Sequence, residues 1–384
     1  PGGIPFTNEG AGGENYNTIF YVKESPLDAN TIYTGSDCGL VYVTTDAGKN
    51  WQNITPVDLQ ESQINSIEAS RFEQGVVYIS ATRYKFNDYA SYTYKTTDNG
   101  KTWTKINNGI KNDDFVKVIR EDNKNKNILY AGSERGFYIS NDAGTTWKPF
   151  QLNLPIVPVT DLMIRDNDLV AATAGRAFWI LDDISTIQQN ANFNSISVPT
   201  IITPKYAYKY GAGNGLPEKE ATIGQNAPEG VIIDYYLPKL GEKDTLSLTI
   251  ISDQGKLIRT YTNVDDANYK KYPGGPSPKT KLSDNEGHNR FLWDFRTDDL
   301  SPDVNGAFVL GSYSGYAVPP GKYKAQLKYK KENTMIKIKS SEIYYILEGN
   351  GELKINEDSF YLKKDDSAYV PPNSKQTIEN IGME

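Results

Sequence analysis

Apolar and polar residues alternate along this chain in short bursts, and the bursts predict strands nearly everywhere. Thr31-Ile32-Tyr33-Thr34-Gly35 is followed by Leu40-Val41-Tyr42-Val43, and Val76-Val77-Tyr78-Ile79-Ser80 by Tyr92-Thr93-Tyr94-Lys95. Ile128-Leu129-Tyr130-Ala131-Gly132 is followed by Phe137-Tyr138-Ile139, and Asp168-Leu169-Val170-Ala171-Ala172 by Ala177-Phe178-Trp179-Ile180-Leu181. These runs are β-branched and aromatic and are bounded by Gly, Asn and Asp, the composition of short strands. Helical periodicity is scarce: only Asp182–Ile187 predicts a short helical turn. Residues 187–228 carry Asn, Gly and Pro and predict a linker or strap. A second β region starts at Val231, where Thr245–Ile251 alternates as a strand should and Asp253-Gln254-Gly255-Lys256 predicts a hairpin turn into Leu257–Tyr261. The Pro-, Gly- and Lys-rich stretch from Asn268 to Asn285 predicts a surface loop. The expected class is all-β.

After each of the first three pairs of runs comes the same octet. Thr44-Thr45-Asp46-Ala47-Gly48-Lys49-Asn50-Trp51 recurs as Thr96-Thr97-Asp98-Asn99-Gly100-Lys101-Thr102-Trp103 and as Ser140-Asn141-Asp142-Ala143-Gly144-Thr145-Thr146-Trp147. Each residue type has a structural role in a turn between strands. The Asp can accept hydrogen bonds from amides of its own turn, and the Gly permits a positive φ. The hydroxyls at the flanks can close the turn, and the Trp can fill volume between sheets. Three equivalent copies cannot share one catalytic centre, so Asp46, Asp98 and Asp142 are expected to be structural, and Trp51, Trp103 and Trp147 to be buried. A spacing of roughly 40–50 residues suits one four-stranded propeller blade.

The octets resemble the Asp-box, or bacterial-neuraminidase repeat. The run from Gly2 to Asp183 resembles sortilin-type β-propeller proteins of bacteria through Thr18-Ile19-Phe20, Glu24-Ser25-Pro26, Thr34-Gly35-Ser36-Asp37, Leu129-Tyr130-Ala131-Gly132 and Gly175–Asp183. One departure is Ala174, where such proteins often have a His before the Gly-Arg pair. The resemblance implies about three to four blades over residues 1–186, with further blades expected upstream because a ring needs at least about four. It also implies a binding scaffold for a protein, peptide or glycan ligand. A glycoside hydrolase of the sialidase or xyloglucanase kind and a structural cell-surface module are the competing expectations.

Composition trims the alternatives. The formal net charge is −7, against the basic surfaces that nucleic acid selects, and no apolar run approaches a membrane span. One cysteine, Cys38, excludes an internal disulfide framework, and one histidine, His288, excludes a His-rich metal site. The resemblance places the protein outside the cytoplasm: secreted, periplasmic or at the cell surface. Glycoside hydrolysis needs two opposed carboxylates. The carboxylates of inter-strand loops that could face a propeller channel are Asp37, Asp88 and Glu134, with Arg83, Arg135 and Arg176 as cationic partners. Nothing in the pattern selects a pair among them. Exposed rings among the 27 tyrosines could stack on sugars or peptide side chains.

Within 229–332, Asp253–Arg259, Gly287–Asp294 and Pro319-Pro320-Gly321-Lys322-Tyr323 resemble an Ig-like sandwich of the flagellar hook-capping type. Trp293 is the expected core residue and His288 is expected in a solvated turn. In residues 333–384, Glu342–Leu353 resembles the first cupin motif, and Asp365–Asn373 through Asn380 the second, which implies an incomplete jelly roll. In metal cupins a His-x-His pair precedes the Glu and a third His follows. Those positions fall here on Ile336 and Ile338 (or Met335 and Lys337) and on Gln376. Only Glu342 remains of four ligands, so neither metal nor cofactor is expected.

Overall fold

The computed structural model describes residues 17–189, 197–210, 228–241, 244–300, 312–330, 332–345, 350–364, 366–371 and 374–382. The chain forms two compact units, residues 1–191 and 192–384, and both are built from strands.

In the first unit the described chain makes four antiparallel sheets in succession. The first contains β1 (Ile19–Ser25), β2 (Asp28–Ser36), β3 (Val41–Thr44) and β4 (Gln52–Asn53) in that order. The second contains β5 (Gln63–Ala69), β6 (Val77–Arg83), β7 (Asp88–Thr96) and β8 (Thr104–Lys105). The third contains β9 (Val116–Glu121), β10 (Leu129–Ser133), β11 (Phe137–Ser140) and β12 (Lys148–Pro149). Neighbouring sheets meet through their first strands, β1 on β5, β5 on β9 and β9 on β13, as blades of a β-propeller do. Apolar layers fill the gaps: Ile64, Ile67, Tyr33 and Val41 in the first, Ile119, Val116, Tyr78 and Leu129 in the next.

The fourth sheet corrects the expectation of four-stranded blades throughout. Among the described residues it has only β13 (Val159–Arg165), β14 (Asp168–Thr173) and β15 (Phe178–Leu181), and after β15 the chain enters the short helix α1 (Ser185–Gln189). The physical reason lies in the turn after β15. Leu181 pairs with Leu169 as Thr44 pairs with Ile32, so Asp183 stands where the repeat has its Asp. The closing bond is also kept: Ile184 N donates to Asn167 O at 2.7 Å, as Ala47 N donates to Asn30 O at 3.0 Å. However, Leu181 has no hydroxyl to seat the carboxylate. Asp183 instead accepts from Ser185 Oγ at 2.5 Å and from Ser185 N, which is an N-cap arrangement.

The second unit has a three-stranded sheet of β16 (Thr200–Ile201), β18 (Val231–Leu237) and β21 (Gly287–Trp293). A larger sheet runs β17 (Ala207–Tyr210), β23 (Glu332–Tyr345), β22 (Lys322–Tyr329), β19 (Leu246–Ser252), β20 (Leu257–Thr262). Alternate residues of the two sheets enclose one core, including Val231, Ile233, Leu248, Ile250, Leu327 and Ile338, with Trp293 fully buried. Gly255 takes φ +86° in the β19–β20 turn, where a side chain would be strained. The remaining strands are β24 (Asn350–Ile355), β25 (Asp358–Lys363), β26 (Ser367–Val370) and β27 (Gln376–Gly382); β25, β24 and β27 form a small sheet. β23 runs unbroken across the boundary expected at 332/333. Its first part pairs with β22 and its last four residues pair with β26.

Candidate functional site

The three octets set the frame. In each, the Asp accepts the hydroxyl two residues before it: Thr44 Oγ1 to Asp46 Oδ1 at 2.8 Å, Thr96 Oγ1 to Asp98 at 2.7 Å, Ser140 Oγ to Asp142 at 2.8 Å. The same carboxylate oxygen accepts an amide four residues on, from Asn50, Thr102 or Thr146, at 2.8–2.9 Å. The Gly amide returns to the first hydroxyl at 2.9 Å in all three. Gly48, Gly100 and Gly144 take φ of 89°, 83° and 91°, and the residues before them, Ala47, Asn99 and Ala143, are also left-handed. These bonds hold the carboxyls below the usual range. The Thr102 hydroxyl and amide bring Asp98 to about 2, and at Asp46 the Asn50 amide leads. At Asp142 partial burial works against the charge, but the bonds from Thr146 and Ser140 outweigh it.

The tryptophans divide, and here the expectation of three buried rings is corrected. Trp147 is 3% exposed and donates Nε1 to Ile106 O at 2.7 Å; Trp103 is half-buried and donates to Ile54 O at 2.6 Å; Trp51 is 44% exposed. The rings of Trp147 and Trp103 each pack on the isoleucine just after the outermost strand of the preceding sheet. Trp51 belongs to the first described sheet, so no such isoleucine stands against it among the described residues. Instead it borders an open groove with Ile19, Tyr42 and Leu40.

In the first three sheets the octet lies between the third and fourth strands. The connection from second to third strand therefore lies at the opposite end. Asp37, Arg83 with Asp88, Glu134 with Arg135, and Arg176 all lie in or beside those connections. The structure thus gathers the sequence candidates at one end of the sheets but gives each its own partner. Asp37 Oδ1 accepts Asn17 N at 3.0 Å. Asp88 accepts Arg83 Nε at 3.0 Å, Tyr92 OH at 2.6 Å and Ala90 N at 3.1 Å. Partial burial opposes its charge, yet those donors hold its carboxyl below the ordinary value. Glu134 pairs with Lys117 at 2.6 Å, and Arg135 with Asp113 at 2.6 Å. Arg176 is exposed and turns back to Gly175 O. No hydrogen bond or ion pair joins any two of Asp37, Asp88, Glu134 and Arg176 among the described residues.

What the sequence reading missed is a ring cluster at this end. The β6–β7 connection carries a 3-10 turn, Tyr84–Phe86, closed by Asn87 in a left-handed conformation. Tyr84 stacks on Phe115 with centroids 5.6 Å apart, and Tyr89 tilts against the same ring at 6.3 Å. Phe115 is buried, whereas Tyr84, Phe86 and Tyr89 are 41%, 49% and 49% exposed. Arg83 lies over Phe86 at 5.3 Å and Lys117 over Phe115 at 5.6 Å. Because Glu134 N donates to Phe115 O, the Glu134–Lys117 pair adjoins the cluster. Five aromatic residues between Tyr84 and Tyr94 were the available signal, but alternation alone cannot separate sheet faces from a loop platform.

His288 corrects another expectation. It lies on β21, not in a turn. Its Nε2 is 2.9 Å from Asp234 Oδ1, which Arg290 Nε also contacts at 2.8 Å, and its ring tilts against Tyr236. At the cupin-motif positions, Ile336 and Ile338 are buried in the apolar core, and the side chain of Glu342 lies outside the described residues.

Two family models match parts of the chain. The sortilin (Vps10), neurotensin receptor 3, model matches residues 91–175, and the cupin domain model matches residues 338–384. The first begins at Ser91, just past the ring-bearing turn. An uncharacterized protein of Methanocaldococcus jannaschii, MJ1618, is 51% identical over 43 residues, 11% of this chain and 34% of that protein. The chain thus spans about a third of that relative's length. Among solved structures, YCF48 bound to D1 peptide is 19% identical with a TM-score of 0.35, covering 43% of this chain and 52% of its own. The GH74 enzyme of Niastella koreensis is 17% identical with a TM-score of 0.35, over 41% of this chain and 26% of its own. The GH74 xyloglucanase of Xanthomonas campestris is 11% identical with a TM-score of 0.35, over 84% and 44%.

Proposed function

We propose that the repeat-built unit is a binding module. Its ligand face is the end opposite the octets, and it takes a protein, peptide or glycan ligand against Tyr84, Phe86 and Tyr89. The observation that carries this reading is the exposed ring cluster standing on buried Phe115 with cations at its rim. Rings held in place lose little freedom when a sugar face or an apolar side chain stacks on them, and an aromatic pair adds about 0.5–1.5 kcal/mol beyond its burial. The carboxylates at the same end already serve as ion-pair partners, Asp88 for Arg83 and Glu134 for Lys117. A hydrolase would need one carboxyl free to donate a proton and another free to attack or to activate water.

The test uses the whole chain on glycan and peptide arrays, with a panel of fluorogenic glycosides beside them. Retention of a glycan or a peptide that is lost in Tyr84→Ala/Tyr89→Ala supports the reading and names the ligand class. Glycoside turnover abolished by Asp88→Asn or Glu134→Gln would replace it with a hydrolase.

A further inference from the structure

Most outer edges in the first unit are short: β4, β8 and β12 are two residues each. Short edges discourage pairing with foreign strands. The second unit ends its large sheet differently. β20 (Leu257–Thr262) is six residues long and, among the described residues, lies at the sheet edge and pairs only with β19. Its outward main chain is closed at two points: Asp298 N donates to Ile258 O at 3.3 Å and Leu282 N to Thr262 O at 2.9 Å. Between them, residues of the same parity face away from β19. The N–H and C=O of Thr260 and the N–H of Thr262 therefore point outward, and none of them has a hydrogen-bond partner among the described residues.

These groups open into a groove of about 790 Å³ lined by Thr260, Thr262, Asp265, Lys279, Lys281 and Asp298, among others. Thr260 is exposed, while Arg259 and Tyr261, which alternate with it, are buried at 6% and 5%. Charge within the groove is partly cancelled. Lys281 pairs with Asp265 at 3.1 Å, Lys279 with Asp266 at 3.3 Å, and Arg259 with Asp299 at 2.7 Å. Asp298 reaches only the edge of Arg259, at 3.9 Å, and is 63% exposed. One carboxylate is thus left in excess.

We propose that this groove is a β-augmentation site. An extended peptide enters the open stretch of β20 between those two closures, exchanging main-chain hydrogen bonds with Thr260 and accepting one from Thr262 N–H through a carbonyl, and it carries a Lys or Arg toward Asp298. The main-chain bonds supply the affinity and the charge selects the side chain. This site is separate from the ring cluster and does not rest on the reading of the first unit.

The probe is a hexapeptide of alternating valine and threonine with one central lysine, titrated to millimolar concentration against the whole chain. The readout is residue-level amide hydrogen exchange. In the free protein, Thr260 and Thr262 amides should exchange quickly, and the peptide should slow both at least tenfold. The same peptide with a single N-methyl at the residue opposite Thr260 should lose that effect, a ligand-side change that leaves folding untouched. Replacing its lysine by glutamate should weaken binding, and Asp298→Lys should reverse that preference. Thr260 already protected in the free protein would overturn the proposal, because the edge would then be filled. So would unchanged exchange at millimolar peptide, or equal binding of the N-methylated peptide.

Discussion

The two units reach a folded state by opposite means. Residues 17–189 repeat one polar turn and place thin apolar layers between the first and second and the second and third sheets. Residues 197–382 gather most of their buried side chains around one tryptophan. A repeat spreads stability over many nearest-neighbour contacts, so no single side chain of the first unit should matter as much as Trp293 does in the second.

That contrast is broken most forcefully at Trp293. It is fully buried, meets Tyr323 edge-on at 5.2 Å and donates Nε1 to Arg296 O. Trp293→Ala should cost about 3–5 kcal/mol. In calorimetry of the whole chain, the transition of the second unit should fall or vanish while that of the first stays. Loss of both together would deny that the two fold separately.

Within the repeat, position should matter more than chemistry. Gly48 and Gly100 share a left-handed backbone, but a Cβ at Gly100 would meet Ile54 at 2.6 Å, and one at Gly48 finds only Trp51 at 4.0 Å. Gly100→Ala is therefore expected to destabilise by roughly 1–3 kcal/mol more than Gly48→Ala, the usual range for forced overpacking. Equal losses in urea unfolding would mean that backbone strain alone sets the cost.

The ligand face should respond on a smaller scale. Each of Tyr84→Ala and Tyr89→Ala should weaken binding about tenfold, near the upper range for one aromatic pair, and leave the unfolding midpoint in place. Parallel loss of stability would make the rings structural.

The smallest effect is electrostatic. Hydrogen bonds from Thr102 and Thr96 hold the Asp98 carboxyl at about 2 in the folded chain, below the ordinary aspartate range. Its contribution is present above the unfolded value and is lost as pH falls through the folded one. Between about pH 4 and pH 2 the first unit should lose stability, and Asp98→Asn should flatten that slope. An unchanged slope would mean the carboxylate charge contributes nothing.

The repeat was legible because its turn is local. A hydroxyl, a carboxylate two residues on and a glycine two further are all the bonds require, and they recur in register. Asp183 escaped because Leu181 removes the hydroxyl while the register and the Ile184 closing bond survive, and register is not written in residue types. Trp51 was misjudged because its burial depends on a neighbouring sheet and not on its own octet. The ring cluster was illegible for the same reason: Phe115 immediately precedes the first strand of the following sheet, and only the fold brings it beneath Tyr84. In the second unit, Trp293 was legible as the aromatic residue that the resemblance to a sandwich places on a strand. His288 was not, because its partner Asp234 is 54 residues away on β18.

If the face opposite the octets binds a ligand through its rings, those rings should set the affinity. The most direct measurement is the affinity of the whole chain for the ligand retained on the arrays, compared with Tyr84→Ala/Tyr89→Ala and with Asp88→Asn/Glu134→Gln. The ring variant should lose binding by about a hundredfold, two steps of the aromatic-pair contribution, while the carboxylate variant should bind nearly as the parent does. Unimpaired binding by the ring variant, with binding abolished in the carboxylate variant, would contradict binding through the rings.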